Sequence, residues 1–213
     1  MKIQSKFLAV LCAVFALALA GIAQTTTAPA LATLSAEERD AALKSLQATH
    51  DAFLKSIAGL SEKQWRFKPA PDRWSVAECI EHIVLVESSI LGSVEKTLQQ
   101  AADSPKSAIQ DDVLVHRVVD RTNRVKGPDR LMPMGRWPHD QLLREFEAAR
   151  KRTSEFAATT SADLRQAAFP HPMFGPLDCY QWLLLIAAHG ERHRAQAEEV
   201  MADANFPRSA AAV

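Results

Sequence analysis

Residues 178–205, DCYQWLLLIAAHGERHRAQAEEVMADAN, have the periodicity of a long buried helix. Asp178 with Gln181 three residues later is typical of a capped helix start, and no proline interrupts the segment. At about 100° per residue, one face carries Trp182, Leu185, Ile186, His189, His193, Gln196 and Val200. The sequence therefore predicts a helix that turns two histidines toward the interior of the protein.

Three other segments show the same apolar period. Ser35 with Glu38 and Ser75 with Glu78 are capping boxes that open two helices, and Pro138 suits the first turn of a third. In the helix after Ser35, the predicted inward-facing residues are Leu43, Leu46, His50, Phe53, Leu54 and Ile57. In the helix after Ser75 they are Val76, Cys79, Ile80, Ile83, Val86, Ile90 and Val94, and in the helix after Pro138 they are Leu142, Leu143, Phe146, Ala149 and Phe156. Four main helices without a convincing period-two strand predict an all-α four-helix bundle with long crossover loops.

The connections between these helices are long. Residues 59–74 predict an ordered crossover with one short turn at Ser61 to Gln64. Residues 107–121 predict a further helix with Val113, Leu114 and Val118 inward. The segments KGPDRLMPMG (126–135) and AAFPHPMFGP (167–176) are rich in turn-forming residues, and both are expected to be loops.

The N-terminus has the pattern of a secretory signal. Lys2 and Lys6 precede an apolar run over residues 7–20, which is shorter than the roughly 20 residues that span a bilayer. Cleavage is predicted after Ala20 or Ala23. We therefore expect an exported, periplasmic or secreted protein that has no membrane attachment after signal cleavage.

Composition sets the predicted domain limits and excludes one class of partner. The predicted segments are a signal peptide at 1–23, a flexible leader at 24–34, a helical bundle domain at 35–203 and a disordered tail at 204–213. Removing residues 1–23 takes two lysines from the 25 basic side chains and none of the 25 acidic ones, which leaves a charge of about −2. No nucleic-acid partner is expected at that charge. We expect Cys79 and Cys179, which remain, to be buried packing residues.

His189 and His193 are candidates for a metal site. Their i,i+4 spacing puts both imidazoles within reach of one ion at about 2.0–2.1 Å. His82 lies beside the apolar stripe of its helix, where a neutral imidazole needs a partner, and is the best candidate for a third ligand. Three histidines leave coordination positions open, as a catalytic metal requires. The alternative is a chance pair on a partly exposed face, and spacing alone does not settle the question.

Two strings carry a resemblance to a known family. LSEKQWRFKPAPDRWSVAECIEHIVLVE (60–87) and HPMFGPLDCYQWLLLIAAHGERHRAQAEEV (171–200) resemble, in that order, the DinB-like family of bacterial four-helix bundles, also called DinB/YfiT-like metalloenzymes. The resemblance covers most of residues 35–203. It implies that His82, His189 and His193 bind one divalent ion. Zinc and nickel are the ions most expected, although imidazole sites also accept copper and iron.

The same resemblance implies a function and leaves its details open. Members resemble hydrolases or thiol-dependent transferases that use bacillithiol or mycothiol, so a metal-dependent enzyme with a small-molecule substrate is the leading hypothesis. The export signal conflicts with a thiol cofactor that is expected mainly in the cytoplasm. The alternative is a non-catalytic exported bundle that binds a metal or small ligand or serves as an interaction scaffold. No catalytic residue is assigned, and a homodimer, which the resemblance makes plausible, stays open.

Three polar residues near these motifs have competing interpretations. His50 lies on an apolar stripe and is more simply a satisfied core histidine than a ligand. His171, between prolines, is more simply an exposed turn residue than a group over the site. Gln196 lies on the inward face, and the two interpretations of it, a hydrogen bond to a ligand or a cap on a polar pocket, carry equal weight.

Glutamates and tryptophans beside the ligands have simpler structural interpretations. Glu78 is explained by its capping box. Glu81 and Glu191 adjoin ligands in sequence and should therefore point elsewhere, onto solvated faces. Trp74 and Trp182 are more simply core or helix-end residues than the walls of a substrate site.

Overall fold

The computed structural model of the protein describes residues 34–100, 105–122 and 127–208. Its helices are α1 (Ala36–Ile57), α2 (Glu62–Trp65), α3 (Val76–Gln100), α4 (Asp111–Val119), α5 (His139–Thr159) and α6 (Cys179–Met201). A 3-10 turn spans Asp129–Leu131, and two strands, β1 (Ala168–His171) and β2 (Gly175–Asp178), precede α6. Within the described ranges, no helix is both long and apolar enough to cross a bilayer. The predicted signal peptide and most of the leader lie outside these ranges.

The long helices form the predicted four-helix bundle. Helix α6 packs against α1, α3 and α4, while α5 packs against α1 and α3. The capping boxes at Ser35 and Asp178 are both present. At the start of α3 the Ser75 amide donates to Glu78, and the Glu78 amide donates back to the Ser75 hydroxyl. The three predicted helix starts are therefore confirmed.

The apolar stripes are buried largely as predicted. All seven residues of the α3 stripe are buried, and so are Leu46, Phe53, Ile57, Leu142, Phe146 and Ala149 on α1 and α5. Cys79 and Cys179 are free and buried, in agreement with the expectation of packing residues. On α4, Leu114 and Val118 face inward, but Val113 is 44% exposed, so its predicted inward position is wrong. A single-sided helix of nine residues buries only one narrow stripe.

The segment 167–176 is not the irregular loop that its composition predicts. Strands β1 and β2 pair antiparallel, with Pro170 opposite Pro176. Neither proline has an N–H to donate, so this pair fits only a position without ladder hydrogen bonds. Four-residue strands with a proline in each show no clear alternation, which is why the pattern conceals a hairpin.

Both ends of the predicted domain extend further than expected. Leu34, the last residue of the predicted leader, is buried. In the described part of the predicted tail, Phe206 packs edge-on against Phe67 at 5.5 Å between ring centroids. The carbonyl oxygen of Pro207 accepts a hydrogen bond of 2.9 Å from Gln64. The packed chain therefore continues beyond residue 203.

A polar layer crosses the bundle between two apolar clusters. One cluster contains Leu46 of α1 and Ala188 of α6, and the other contains Phe53 of α1 and Ala197 of α6. Between them along α1, α5 and α6 lie the buried polar side chains of His50, Arg150, Thr153 and His193. On α3, the buried His82 and Glu87 lie on either side of the boundary between the two clusters. Buried polar groups require partners, so this layer is where chemistry and specific interactions are concentrated.

Candidate metal centre

Helices α3 and α6 bring the three predicted histidines together. One ligand nitrogen from each of His82, His189 and His193 lies within 4.8 Å of the others. The Nε2 atoms of His189 and His193 are 3.1 Å apart. Two imidazole nitrogens bound to one tetrahedral ion at about 2.1 Å would be about 3.4 Å apart, so this pair already has the spacing of a shared ion. The i,i+4 geometry of α6 produces it.

A backbone carbonyl outside the helices orients His82. Nδ1 of His82 lies 2.7 Å from the carbonyl oxygen of Leu131, at the end of the 3-10 turn. Because a carbonyl oxygen only accepts, Nδ1 carries the proton and Nε2 presents its lone pair. This is the usual arrangement of a metal-binding histidine, whose second nitrogen donates to a carbonyl or carboxylate.

A glutamine orients His193 in the same way. Nδ1 of His193 lies 2.9 Å from Oε1 of Gln196, and Arg121 also donates to that oxygen at 3.4 Å. A guanidinium only donates, so the atom that Arg121 contacts is the amide oxygen of Gln196. Nδ1 of His193 must therefore carry the proton, and Nε2 is left for an ion. Arg121 is itself held by both carboxylate oxygens of Glu199. Gln196 therefore hydrogen-bonds a candidate ligand, which decides between its two interpretations.

Burial keeps all three imidazoles neutral at neutral pH. Burial lowers the pKa of His82 and outweighs the Leu131 hydrogen bond, which raises it. Burial, followed by the charges of His82 and Arg192, holds the pKa of His189 well below 6.5. Burial, followed by the charges of His189 and His82, does the same to the pKa of His193. Neutral imidazole is the form that binds metals, so the donor set fits a divalent transition-metal ion.

Trp74, interpreted from the sequence as a core or helix-end residue, also lies against the histidine cluster. Its ring centroid lies 4.8 Å from that of His82 and 5.7 Å from that of His193, nearly parallel to the latter. Trp74 is only partly buried. Trp182, in contrast, stacks on Phe169 of the hairpin at 4.3 Å and belongs to the core. The two tryptophans, grouped together on sequence grounds, have different positions.

The prediction of a solvated face for Glu81 is wrong. Its side chain is 3% exposed and accepts hydrogen bonds from the backbone amides of Met134, Gly135 and Arg136. The donors belong to a loop some fifty residues further along the chain, so helical spacing could not reveal them. Glu191 does lie on a partly exposed surface, where it pairs with Arg194.

His50 and His171 are not part of the three-histidine cluster. His50 is buried against Phe146 as predicted, but its Nε2 has no hydrogen-bond partner among the described residues. His171 is not an exposed turn residue. It lies in β1 with its ring 5.3 Å from that of Trp182, and burial lowers the pKa of His171 to about 4. A positive charge on His171 would lower the pKa of His189.

The fold and the histidine cluster define a four-helix bundle with a candidate metal site between its helices. The sequence model of the DinB superfamily matches residues 45–197, and the chain belongs to that superfamily. This confirms the family resemblance. The uncharacterized protein YuaE of Bacillus subtilis (strain 168) is 28% identical over 150 residues, which are 68% of this chain and 87% of YuaE.

Two solved structures resemble this chain. TT2238, described as a four-helix bundle protein, is 23% identical, with a TM-score of 0.50 over 76% of this chain and 98% of its own. YfiT from Bacillus subtilis, described as "a probable metal-dependent hydrolase with an unusual four-helix bundle topology", is 16% identical. Its TM-score is 0.49 over 79% of this chain and 89% of its own. The similarity to TT2238 shows the bundle architecture and nothing about activity.

Proposed function

We propose that the protein binds one divalent transition-metal ion through His82, His189 and His193 and acts on a small molecule as a metal-dependent enzyme of the hydrolase or thiol-transferase type. The convergence of three neutral imidazoles carries this proposal. When bound, such an ion supplies Lewis acidity and leaves coordination positions for a substrate. Zinc and nickel are the first ions to test, since both suit imidazole donors.

The surrounding residues have defined tasks in this proposal. The Leu131 carbonyl and Gln196 hold two of the rings with Nε2 directed at the ion. Trp74, partly exposed beside His82 and His193, offers an aromatic face to a substrate and limits water at the site.

One observation favours the non-catalytic alternative. The two carboxylates that adjoin the ligands in sequence are engaged elsewhere, Glu81 with loop amides and Glu191 with Arg194. Neither is free to serve as a general base. A bundle that only binds a metal or a small ligand is therefore the second candidate function.

The experiment that tests metal binding is elemental analysis of the chain purified without chelators or a histidine tag. We expect about one equivalent of metal in the wild type and none in a variant with His82, His189 and His193 replaced by alanine. His116→Ala, a substitution at an exposed histidine of α4, is the matched control and should keep the metal. Absence of metal from the wild type, even after reconstitution with zinc and with nickel, would rule out the proposal.

A second measurement separates enzyme from binding protein. Cobalt substituted at the site should change its visible spectrum when a small anion or thiol is added, because an open coordination position accepts it. A spectrum that no added ligand changes indicates a closed site and favours the non-catalytic alternative. Variants of Trp74 should then alter turnover of any substrate found by screening, without loss of the ion.

We also propose that the protein is exported. The supporting pattern is the signal at residues 1–23, which lies outside the described residues. Mature protein from a fractionated bacterial host should begin at Gly21 or Gln24 and occur in the periplasm or medium. An intact N-terminus in the cytoplasmic fraction would contradict export and would remove the objection to a thiol cofactor.

A further inference from the structure

Glu81 is the most heavily hydrogen-bonded carboxylate beside the candidate metal centre. The amides of Met134 and Gly135 donate to it at 2.9 and 2.7 Å, and the amide of Arg136 shares both oxygens at 3.3–3.4 Å. The Arg136 guanidinium adds a charged hydrogen bond at 2.5 Å. Only a carboxylate accepts this many donors, since a glutamine has one acceptor oxygen and two donors of its own.

The same loop holds the neighbouring residue of α3. The carbonyl oxygen of Leu131, three residues before Met134, accepts from Nδ1 of His82. Arg136 also donates to the carbonyl oxygen of Met132 at 2.9 Å, which closes the segment between the two attachment points. Adjacent residues of one helix, Glu81 and His82, therefore bind one loop at both of its ends.

We propose that Glu81 is a positioning residue for the metal centre. It ties residues 131–136 to α3, so that the Leu131 carbonyl holds His82 as the Nδ1–H tautomer with Nε2 directed at the other two histidines. The inference rests on the proposed metal function, but the tautomer and the order of the loop can be measured without any metal. Glu81 does not touch the ion and acts only through His82.

The metal-free chain provides the first test. At pH 7, ring-nitrogen chemical shifts should show the Nδ1–H tautomer of His82, and the amides of Met134 and Gly135 should be protected from hydrogen exchange. In Glu81→Gln both signatures should weaken together, because the NH2 group of the glutamine side chain would face the N–H donors of the loop. An unchanged tautomer in a variant whose loop amides exchange freely would overturn the proposal.

Metal affinity provides the second test, with zinc alone as the probe in titration calorimetry. Glu81→Gln should weaken zinc binding on the order of 10-fold, the usual effect of losing a group that orients a ligand. Glu78→Gln is the matched control on the same helix. It keeps an acceptor for the Ser75 amide and loses only the charge paired with Lys68, and Glu78 has no hydrogen bond to the described residues 131–136, so this variant should leave the affinity unchanged. In a His82→Ala background, Glu81→Gln should have no further effect on the weakened affinity.

A loop variant keeps the proposal testable if Glu81→Gln does not fold. Gly135 has φ of +71°, so Gly135→Ala strains the loop and displaces the clamped amides without changing α3. It should reproduce the tautomer change and the weaker zinc binding. Wild-type affinity in both variants would overturn the proposal. Failure of the wild type itself to bind metal would instead defeat the proposed function, and the tautomer measurement would still decide the role of Glu81.

Discussion

Breaking the buried ion pair between Glu87 and Arg150 should strongly destabilise the folded protein. Their side chains are 2% and 4% exposed, and Nη2 of Arg150 lies 3.0 Å from the Glu87 carboxylate. Arg150 also donates to the carbonyl oxygen of Leu46 at 2.7 Å and to Thr49 at 3.2 Å. Removal of Glu87 leaves those two hydrogen bonds but strands a buried guanidinium. Breaking such a pair costs about 3–5 kcal/mol of unfolding free energy.

Three variants and one control measure this effect by urea denaturation followed by circular dichroism. Glu87→Leu and Arg150→Met should each lose about 3–5 kcal/mol, and Glu87→Gln, which keeps an acceptor, about 1.5–3 kcal/mol. The double variant Glu87→Leu/Arg150→Met should recover at least about 2 kcal/mol of the summed loss, because no charge is left unpaired. Lys151→Ala, at an exposed pair with Glu155, should cause no measurable change. Losses that simply add in the double variant would refute the reasoning.

Three further outcomes are expected. Gln196→Leu should weaken zinc binding on the order of 10-fold in calorimetry, since His193 loses the acceptor that fixes its ring, and an unchanged affinity would contradict that role. Bound nickel or copper should quench tryptophan fluorescence. Trp74→Phe should abolish most of this quenching, because the Trp74 ring lies 4.8 Å from that of His82. Undiminished quenching in the variant would place the ion elsewhere. Burial raises the pKa of Glu81, but its amide and guanidinium donors outweigh burial and hold the pKa below the ordinary 4.5. Its contribution is therefore complete above pH 4.5 and lost as the pH falls through the lower folded pKa. Wild type and Glu81→Gln should differ in urea stability at pH 7 and converge once the pH is below that folded pKa.

Local signals in the sequence were sufficient for the helices and for the three histidines. Capping boxes at Ser35, Ser75 and Asp178 and the stripes behind them depend on residues within a few turns, so the pattern contains the whole cause. The metal candidates His189 and His193 follow from one helical spacing. His82 needed the further argument that an imidazole beside apolar residues requires a partner.

Interactions with distant backbone were not predictable. Glu81 binds amides, and an amide gives no side-chain signal in the sequence. The pattern does not reveal the hairpin, because prolines hide the alternation of its two short strands. The burial of Glu87 likewise cannot be predicted unless its pairing with Arg150 is known, and Arg150 lies on another helix 63 residues later. These features share one cause. Each depends on a partner that is distant in the sequence and comes close only in the folded bundle.

Gly190 shows how the polar layer and the metal centre are joined. Glycine within a helix costs about 1 kcal/mol relative to alanine, and this one separates the two ligand histidines of α6. A Cβ atom there would lie 3.4 Å from Nη2 of Arg150. The ligand-bearing turn is thus backed on one side by the ion pair, while the ring of Trp74 lies against His193.

The connection between α4 and α5 determines how the histidines are held. It supplies the Leu131 carbonyl that orients His82, the amides that bind Glu81, and Arg121, which fixes Gln196. Helices α3 and α6 bring the imidazoles together, but the tautomers of His82 and His193 depend on this irregular segment. Bundles that share the histidines and differ in this connection should therefore differ in metal affinity, because the groups that orient the ligands would change while the ligands stay the same.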